Sequence, residues 1–74
     1  MSIGENIKKY RVRNTCLTQK QTVFELNQMG VKISKSTYAK IETNRMNIKV
    51  SELKAFSKLF KCETRDFFEG LDKT

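Results

Sequence analysis

The chain has 74 residues, of which 31% are charged, and a net charge of +7 at neutral pH. This length supports one hydrophobic core, so we expect a single domain over residues 1–74. The chain has no histidine, and its two cysteines form no Cys-x-x-Cys motif. It also lacks a clustered carboxylate pair and a glycine-rich phosphate loop. These patterns argue against an enzyme, a metal site and a cofactor.

The sequence has no basic leader followed by an apolar stretch, and no apolar run approaches the ~20 residues that cross a bilayer. We therefore expect a soluble, cytoplasmic protein without a membrane partner. In that reducing compartment, Cys16 and Cys62 are expected to be small buried hydrophobic residues.

The positive charge is concentrated in the first two thirds of the chain. Residues 1–49 contain ten basic and three acidic residues, whereas residues 50–74 contain five of each. Such asymmetry is expected when one face of a protein lies on phosphates, because each lysine or arginine releases condensed counterions there. Nucleic acid is therefore the leading candidate partner.

Apolar residues recur at intervals of three and four through most of the chain, which predicts an all-α fold. The first helix should begin after Ser2, because Ser2 and Glu5 have the spacing of a capping box. Ile3, Ile7 and Tyr10 then share one face of this helix.

The second predicted helix begins after a break at Asn14 and Thr15. Thr18 and Gln21 repeat the capping-box spacing, and Gly30 is the expected end of the helix. Its inner face is carried by Val23 and Leu26.

Ser34 is the predicted N-cap of a short, basic third helix, in which Tyr38 and Ile41 face inward. Its outward residues are Lys35, Ser36 and Lys40. Helices two and three are thus two short helices joined by a turn, and the second has small polar and basic residues on its outer face. A helix of this kind fits into the major groove of DNA.

A fourth helix follows the polar stretch from Thr43 to Asn47, and a short fifth helix is expected around Phe67, Phe68 and Leu71. The buried side of the fourth helix is predicted to contain Val50, Leu53, Phe56, Leu59 and Phe60. The predicted fold is thus a compact bundle of five short helices, with a helix-turn-helix formed by helices two and three. We interpret Tyr38, Phe56, Phe60 and Phe67 as core residues rather than as a base-stacking platform.

From Ile3 to Leu71 the sequence resembles the lambda-repressor-like (Cro/C1, XRE) helix-turn-helix family. The segments that carry this resemblance are Ile7 with Tyr10 and Arg11, Leu17–Gln19, Ile33–Thr37, Lys40–Glu42 and Leu53–Phe60. The sequence departs from the family pattern in a longer connection between helices two and three, in Thr22 and Phe24, and in Lys61, where a helix-ending glycine is common.

The resemblance implies specific roles for residues around the helix-turn-helix. The residues expected to read DNA bases are Lys35, Ser36, Thr37 and Lys40. Those expected to bind DNA phosphates are Thr18, Gln19, Asn44 and Arg45. Arg11 and Glu42 occupy the positions at which the family commonly has a structural ion pair.

The function implied is sequence-specific binding of double-stranded DNA by a transcriptional regulator, acting as a homodimeric repressor on a palindromic operator. Phage or mobile-element repressors, restriction-modification controllers and antitoxins are the candidate types. Phe68 and Leu71 are candidates for the dimer interface, because one stripe of a small monomer cannot bury adjacent phenylalanines. The alternative is a protein-interaction module on the same scaffold, which binds a toxin or another regulator.

Overall fold

The computed structural model describes residues 2–71. Four α-helices are present, namely α1 (Ile3–Tyr10), α2 (Gln19–Gln28), α3 (Lys35–Glu42) and α4 (Val50–Phe60). A π-helical turn, Arg11–Thr15, continues α1, and a 3-10 turn, Thr64–Phe68, follows α4. The all-α prediction is confirmed, and residues 2–71 contain no strand.

The segment expected to form a fifth helix is the 3-10 turn, so residues 2–71 contain four α-helices instead of five. The turn ends after five residues because Glu69 leaves the helical conformation, with φ −56° and ψ 124°, and Gly70 is left-handed, with φ 78°. The Asp66 carboxylate closes the start of the turn by accepting a hydrogen bond from the Glu63 backbone N–H at 2.9 Å.

The predicted helix starts are confirmed by their hydrogen bonds. The Ser2 hydroxyl accepts from the Glu5 N–H at 3.2 Å, and the Glu5 carboxylate accepts from the Ser2 N–H at 2.9 Å. Thr18 and Gln21 form the same reciprocal pair at the start of α2. These caps satisfy backbone donors that a helix cannot satisfy within itself.

The core is organised around a chain of aromatic rings. Tyr38 of α3 packs edge-on against Phe56 of α4, with ring centroids 5.7 Å apart. Phe56 stacks on Phe60, and Phe60 meets Phe67 edge-on. Because Phe67 also contacts Tyr10 of α1, these rings connect α3, α4, the 3-10 turn and α1. The four residues predicted as core aromatics are fully buried.

Two sequence expectations about burial are wrong. Val50 is 68% exposed, because it is the first residue of α4 and precedes the part of the helix that packs on the core. Cys16 is exposed, because it lies where the chain leaves the π-helical turn in a left-handed conformation with φ 58°. Cys62 is half-buried, and burial raises the pKa of its thiol to about 11.

Gly4 brings the start of α1 against the end of α3. A Cβ atom at this position would lie 2.7 Å from the Glu42 carbonyl oxygen and would also contact the Ile41 carbonyl oxygen. The backbone N–H of Gly4 donates to the Asn44 side-chain oxygen at 3.0 Å, and the Asn44 amide donates to the Ser2 hydroxyl. The chain that follows α3 is thereby attached to α1.

The end of the 3-10 turn and the residue after it are held on the opposite side of α1. The buried Asn6 amide donates to the carbonyl oxygens of Phe67 and Glu69 at 2.8 and 2.9 Å. The Tyr10 hydroxyl donates to the Glu69 carboxylate at 2.6 Å, and this bond raises the pKa of Tyr10 to about 12. Phe68, between these attachment points, is 46% exposed.

Within residues 2–71, no helix combines the length and the apolar character needed to cross a membrane.

Replacing Gly4 by alanine should destabilise the protein, although alanine is the better helix former by roughly 1 kcal/mol. The added methyl group would collide with carbonyl oxygens of α3, and we expect a net loss of about 1–3 kcal/mol of unfolding free energy. Urea unfolding measures this loss. Ser51→Ala, at an exposed position of α4, is the control and should change stability little. A Gly4→Ala protein of raised stability would contradict the close contact.

Candidate nucleic-acid interface

The turn between α2 and α3 is ordered by its own hydrogen bonds. Gly30 has φ 93°, and its N–H donates to the Asn27 carbonyl at 3.1 Å, while the Val31 N–H donates to the Leu26 carbonyl at 2.9 Å. This pair of bonds is the Schellman motif that ends many helices, and it confirms Gly30 as the end of α2. The Asn27 amide also donates to the Ile33 carbonyl at 3.1 Å, which ties the end of α2 to the entry of α3.

Helix α3 has one face in the core and one in solvent. Tyr38, Ile41 and Glu42 are buried. Lys35, Ser36 and Lys40 are exposed, and Thr37 is half-buried at the boundary. Within residues 2–71, neither Lys35 nor Lys40 is in an ion pair with a carboxylate. The outer face of α3 thus presents two positive charges and small hydroxyl groups.

The hydroxyl groups at the start of α3 contact one another. The Ser34 hydroxyl accepts from the Thr37 N–H at 3.2 Å as the predicted N-cap, and it donates to the Thr37 hydroxyl at 3.0 Å. The Ser36 hydroxyl lies 3.3 Å from the Ser34 hydroxyl. Ser36 and Thr37, both expected to read bases, therefore belong to one cluster with the cap residue.

A buried ion pair fixes the other end of α3. Arg11, the first residue of the π-helical turn, donates from Nε to Glu42 Oε2 at 2.7 Å and from Nη2 to Glu42 Oε1 at 3.1 Å. The exposed fractions of the two side chains are 8% and 2%. The remaining Arg11 nitrogen donates to the Leu17 carbonyl at 2.6 Å, just before α2. One guanidinium group therefore joins α1, the entry of α2 and α3.

Two more donors complete the surroundings of the Glu42 carboxylate. The Tyr38 hydroxyl donates to Oε2 from one helical turn earlier, and the Gln19 amide donates to Oε1 at 2.9 Å. Such full pairing is what makes a buried charge tolerable, because an unpaired one would lose its hydration without replacement.

This network changes the pKa values of its members. Burial opposes the ionisation of Glu42, but hydrogen bonds from Arg11, Tyr38 and Gln19 outweigh that effect and hold the pKa of Glu42 below its ordinary value. Burial, and then the hydrogen bond to Glu42, raises the pKa of Tyr38. The Tyr38 hydroxyl therefore stays protonated and donates to a carboxylate that stays ionised.

The residues expected to bind phosphate at the start of α2 are partly engaged within the protein. The Thr18 hydroxyl caps α2, and Gln19 donates to Glu42. Thr18 is exposed and Gln19 is half-buried. Both residues nevertheless lie at the start of a helix, where free backbone N–H groups attract anions such as phosphate.

The loop after α3 contains the other two residues expected to bind phosphate, Asn44 and Arg45, and Asn44 is engaged in hydrogen bonds within the protein. Asn44 takes a left-handed conformation with φ 62°, and its amide contacts Gly4 of α1 and the N-cap residue Ser2. Arg45 is exposed, and its backbone N–H donates to the Lys40 carbonyl at 2.8 Å. The guanidinium group of Arg45 is therefore carried close to the end of α3.

Sequence reasoning missed several residues that position this surface. Asn14 was interpreted only as a break, whereas its amide donates to the Phe60 carbonyl at the end of α4 at 2.8 Å. Gly4, Asn6 and the Tyr38 bond to Glu42 were also missed. A glycine near the start of a helix could have indicated a close contact, and the four-residue spacing of Tyr38 and Glu42 could have indicated their pairing. No local signal points to Asn6 or Asn14.

Glu42→Gln should lower the unfolding free energy at neutral pH by about 3–5 kcal/mol, because it leaves the buried Arg11 charge without its partner. Since the pKa of Glu42 is lower in the folded state, its contribution is present above the unfolded value of about 4.3 and is lost as pH falls through the folded pKa. Urea unfolding between pH 7 and about pH 3 should therefore show the two proteins converging on acidification.

Glu69→Gln is the matched control for that measurement. Glu69 also accepts from a tyrosine hydroxyl and a cationic side chain, but it is 56% exposed. We expect a much smaller change in stability, since water screens exposed pairs. Equal losses in the two variants would show that burial does not strengthen the Arg11–Glu42 pair.

Comparison with known proteins identifies the family. A family model described as a helix-turn-helix matches residues 25–67, which is more than half of the chain. The match covers the end of α2, the turn, α3, α4 and most of the 3-10 turn, and it leaves α1 and Arg11 outside. Comparisons with curated proteins and with solved structures gave no match. From this match over the turn and α3, the chain belongs to the helix-turn-helix family of Cro/C1 (XRE) type.

Proposed function

We propose that this protein is a sequence-specific, double-stranded DNA-binding transcriptional regulator. It acts as a homodimer on a palindromic operator and represses transcription by occluding the polymerase. In this proposal α3 enters the major groove, α2 lies across its edge, and the loop after α3 contacts the phosphate backbone.

The observation that carries this proposal is the outer face of α3. Lys35 and Lys40 are exposed on a helix whose opposite side is buried, and the Arg11–Glu42 pair holds that helix in one orientation. A lysine ammonium group can donate to guanine O6 and N7, and serine and threonine hydroxyls can pair with several base edges. We therefore assign base reading to Lys35, Ser36, Thr37 and Lys40.

Phosphate contacts are assigned to the residues that flank α3 in space. Thr18 and Gln19 lie at the start of α2, where backbone N–H groups favour anions. Asn44 and Arg45 lie in the loop after α3. Because Asn44 already holds α1, we expect it to position the loop and Arg45 to supply the charge. Such contacts fix the register on DNA without reading sequence.

The homodimer interface is proposed at the end of the 3-10 turn and the residues that follow it. Phe68 is 46% exposed, and Leu71 lies beside it in the same surface depression, together with Arg65. Asn6 and Tyr10 hold this segment on α1, so its side chains have a defined position. In this proposal a twofold contact through Phe68 joins two copies of the protein, and their α3 helices are expected to read half-sites about one helical turn of DNA apart.

The test is a selection from randomised duplex DNA at several salt concentrations, followed by sequencing of the bound molecules. An enriched inverted repeat with half-sites about one turn apart would support sequence-specific reading by a homodimer. Enrichment of a single half-site would support DNA reading without the dimer. Binding without enrichment would overturn sequence-specific reading and favour the protein-interaction alternative.

Lys40→Ala and Arg45→Ala should affect DNA binding in different ways. Loss of the Lys40 base contact should weaken binding to the selected site by about 1–3 kcal/mol and affect unrelated DNA much less. Loss of the Arg45 phosphate contact should weaken binding to all sequences similarly. It should also reduce the slope of log K against log salt concentration by about one. Fluorescence anisotropy on both DNAs measures this, and Lys8→Ala on α1 is the charge-matched control. Equal losses on both DNAs for Lys40→Ala would remove Lys40 from the reading residues.

Phe68→Glu should weaken dimerisation at least about tenfold, because it puts two carboxylates into an apolar contact. Sedimentation equilibrium measures the dimer dissociation constant. Phe24→Glu is the matched control, since Phe24 is 61% exposed on α2 and lies outside the proposed interface. A Phe68→Glu protein that dimerises as well as the unchanged protein would place the interface elsewhere.

A further inference from the structure

A groove separate from the outer face of α3 lies between the turn after α2 and helix α4. One wall is formed by residues 29–32 of the turn, and the other by Lys49 and the first turns of α4. Its volume is about 640 Å³, which lies within the range of small-molecule sites. The longer connection between α2 and α3 supplies one of its walls.

The wall formed by the turn is preorganised. Gly30 and Val31 are bonded to the last carbonyls of α2, Val31 packs against the core, and Asn27 bonds to the carbonyl of Ile33. No rearrangement of this backbone is needed to form the groove. A preformed wall lowers the entropy lost when a flexible ligand binds.

The groove has a positive rim. The four lysines along it are Lys32, Lys49, Lys54 and Lys58, and all are exposed. Glu52 is the acidic residue among its lining residues, and its carboxylate accepts from the Lys49 backbone N–H at 2.9 Å. The rim therefore carries a net positive charge that no ion pair within residues 2–71 neutralises.

The floor of the groove is apolar. Ala55 is buried there, Val31 is half-buried, and Met29 lies at the edge with 41% of its surface exposed. Methionine adapts its shape to varied apolar partners. Duplex DNA could place phosphates on the lysines, but its backbone has no aliphatic side chain that would fill this floor.

We propose that this groove binds an acidic peptide segment of a protein partner, with carboxylates on the lysine rim and an apolar side chain on the floor formed by Val31 and Ala55. Charge complementarity selects an acidic ligand, and the apolar floor selects a peptide over a nucleic acid. The site does not depend on the proposed DNA binding, since it uses none of the residues assigned to base or phosphate contacts.

The test uses the whole protein and a short fluorescein-labelled peptide of alternating glutamate and leucine, at physiological salt and without DNA. Anisotropy should show saturable binding, and backbone amide shifts should concentrate in residues 29–32 and in α4. A glutamate-only peptide of the same length should bind more weakly. Lys54→Glu with Lys58→Glu should weaken binding of the mixed peptide by about tenfold or more, because carboxylates would then face carboxylates.

Lys8→Glu with Arg13→Glu is the control, because it changes the net charge equally at exposed positions on α1 and the π-helical turn. This variant should retain the peptide affinity within about twofold. Equal losses in both double variants, equal binding of the two peptides, or shifts centred outside the groove would overturn the proposal. Lysine-rim variants that impair duplex DNA binding and leave peptide binding unchanged would assign the groove to nucleic acid instead. Because the peptide titration contains no DNA, its outcome is independent of the outcome for the proposed function.

Discussion

The Glu42 carboxylate is the group on which the position of α3 depends. It accepts hydrogen bonds from Arg11, Gln19 and Tyr38, which belong to three different helical segments. A buried carboxylate is costly unless every lone pair is used, so displacement of any one segment would leave a charge or a donor without a partner. The network thus favours a single arrangement of α1, α2 and α3. A helix proposed to read DNA needs such preorganisation, because its side chains must be held close to the required geometry.

Hydrogen bonds also attach helix α1 to two other parts of the molecule. Gly4 and Asn44 attach its start to the end of α3, and Asn6 and Tyr10 attach its opposite side to the segment that carries Phe68. Helix α1 therefore contacts both the candidate DNA-binding element and the candidate dimer interface. Because these contacts are hydrogen bonds, which require defined distances and angles, they fix the relative position of the two surfaces within one protomer. The spacing between two DNA half-sites would depend on that position.

The surface is divided into regions with different physical properties. The outer face of α3 is basic and polar, the surface around Phe68 exposes an aromatic ring beside the charged Arg65 and Glu69, and the groove beside α4 combines a lysine rim with an apolar floor. A basic polar face suits a hydrated polyanion, whereas an apolar patch gains most when another protein covers it. The groove exists because the connection between α2 and α3 is long and its backbone is held by Gly30 and Asn27.

The sequence by itself determined the features that depend on neighbouring residues. Capping boxes at Ser2 and Thr18, and the glycine stop at Gly30, are local hydrogen-bonding patterns, and apolar spacing placed Tyr38 in the core. Only the tertiary structure decided the contacts between distant segments, such as the approach of Gly4 to α3 across some forty positions of the chain. It also decided which apolar residues remain exposed. The spacing of apolar residues predicts the inward face of a helix but does not say whether another element covers the end of that face, and Val50 at the start of α4 is exposed for this reason.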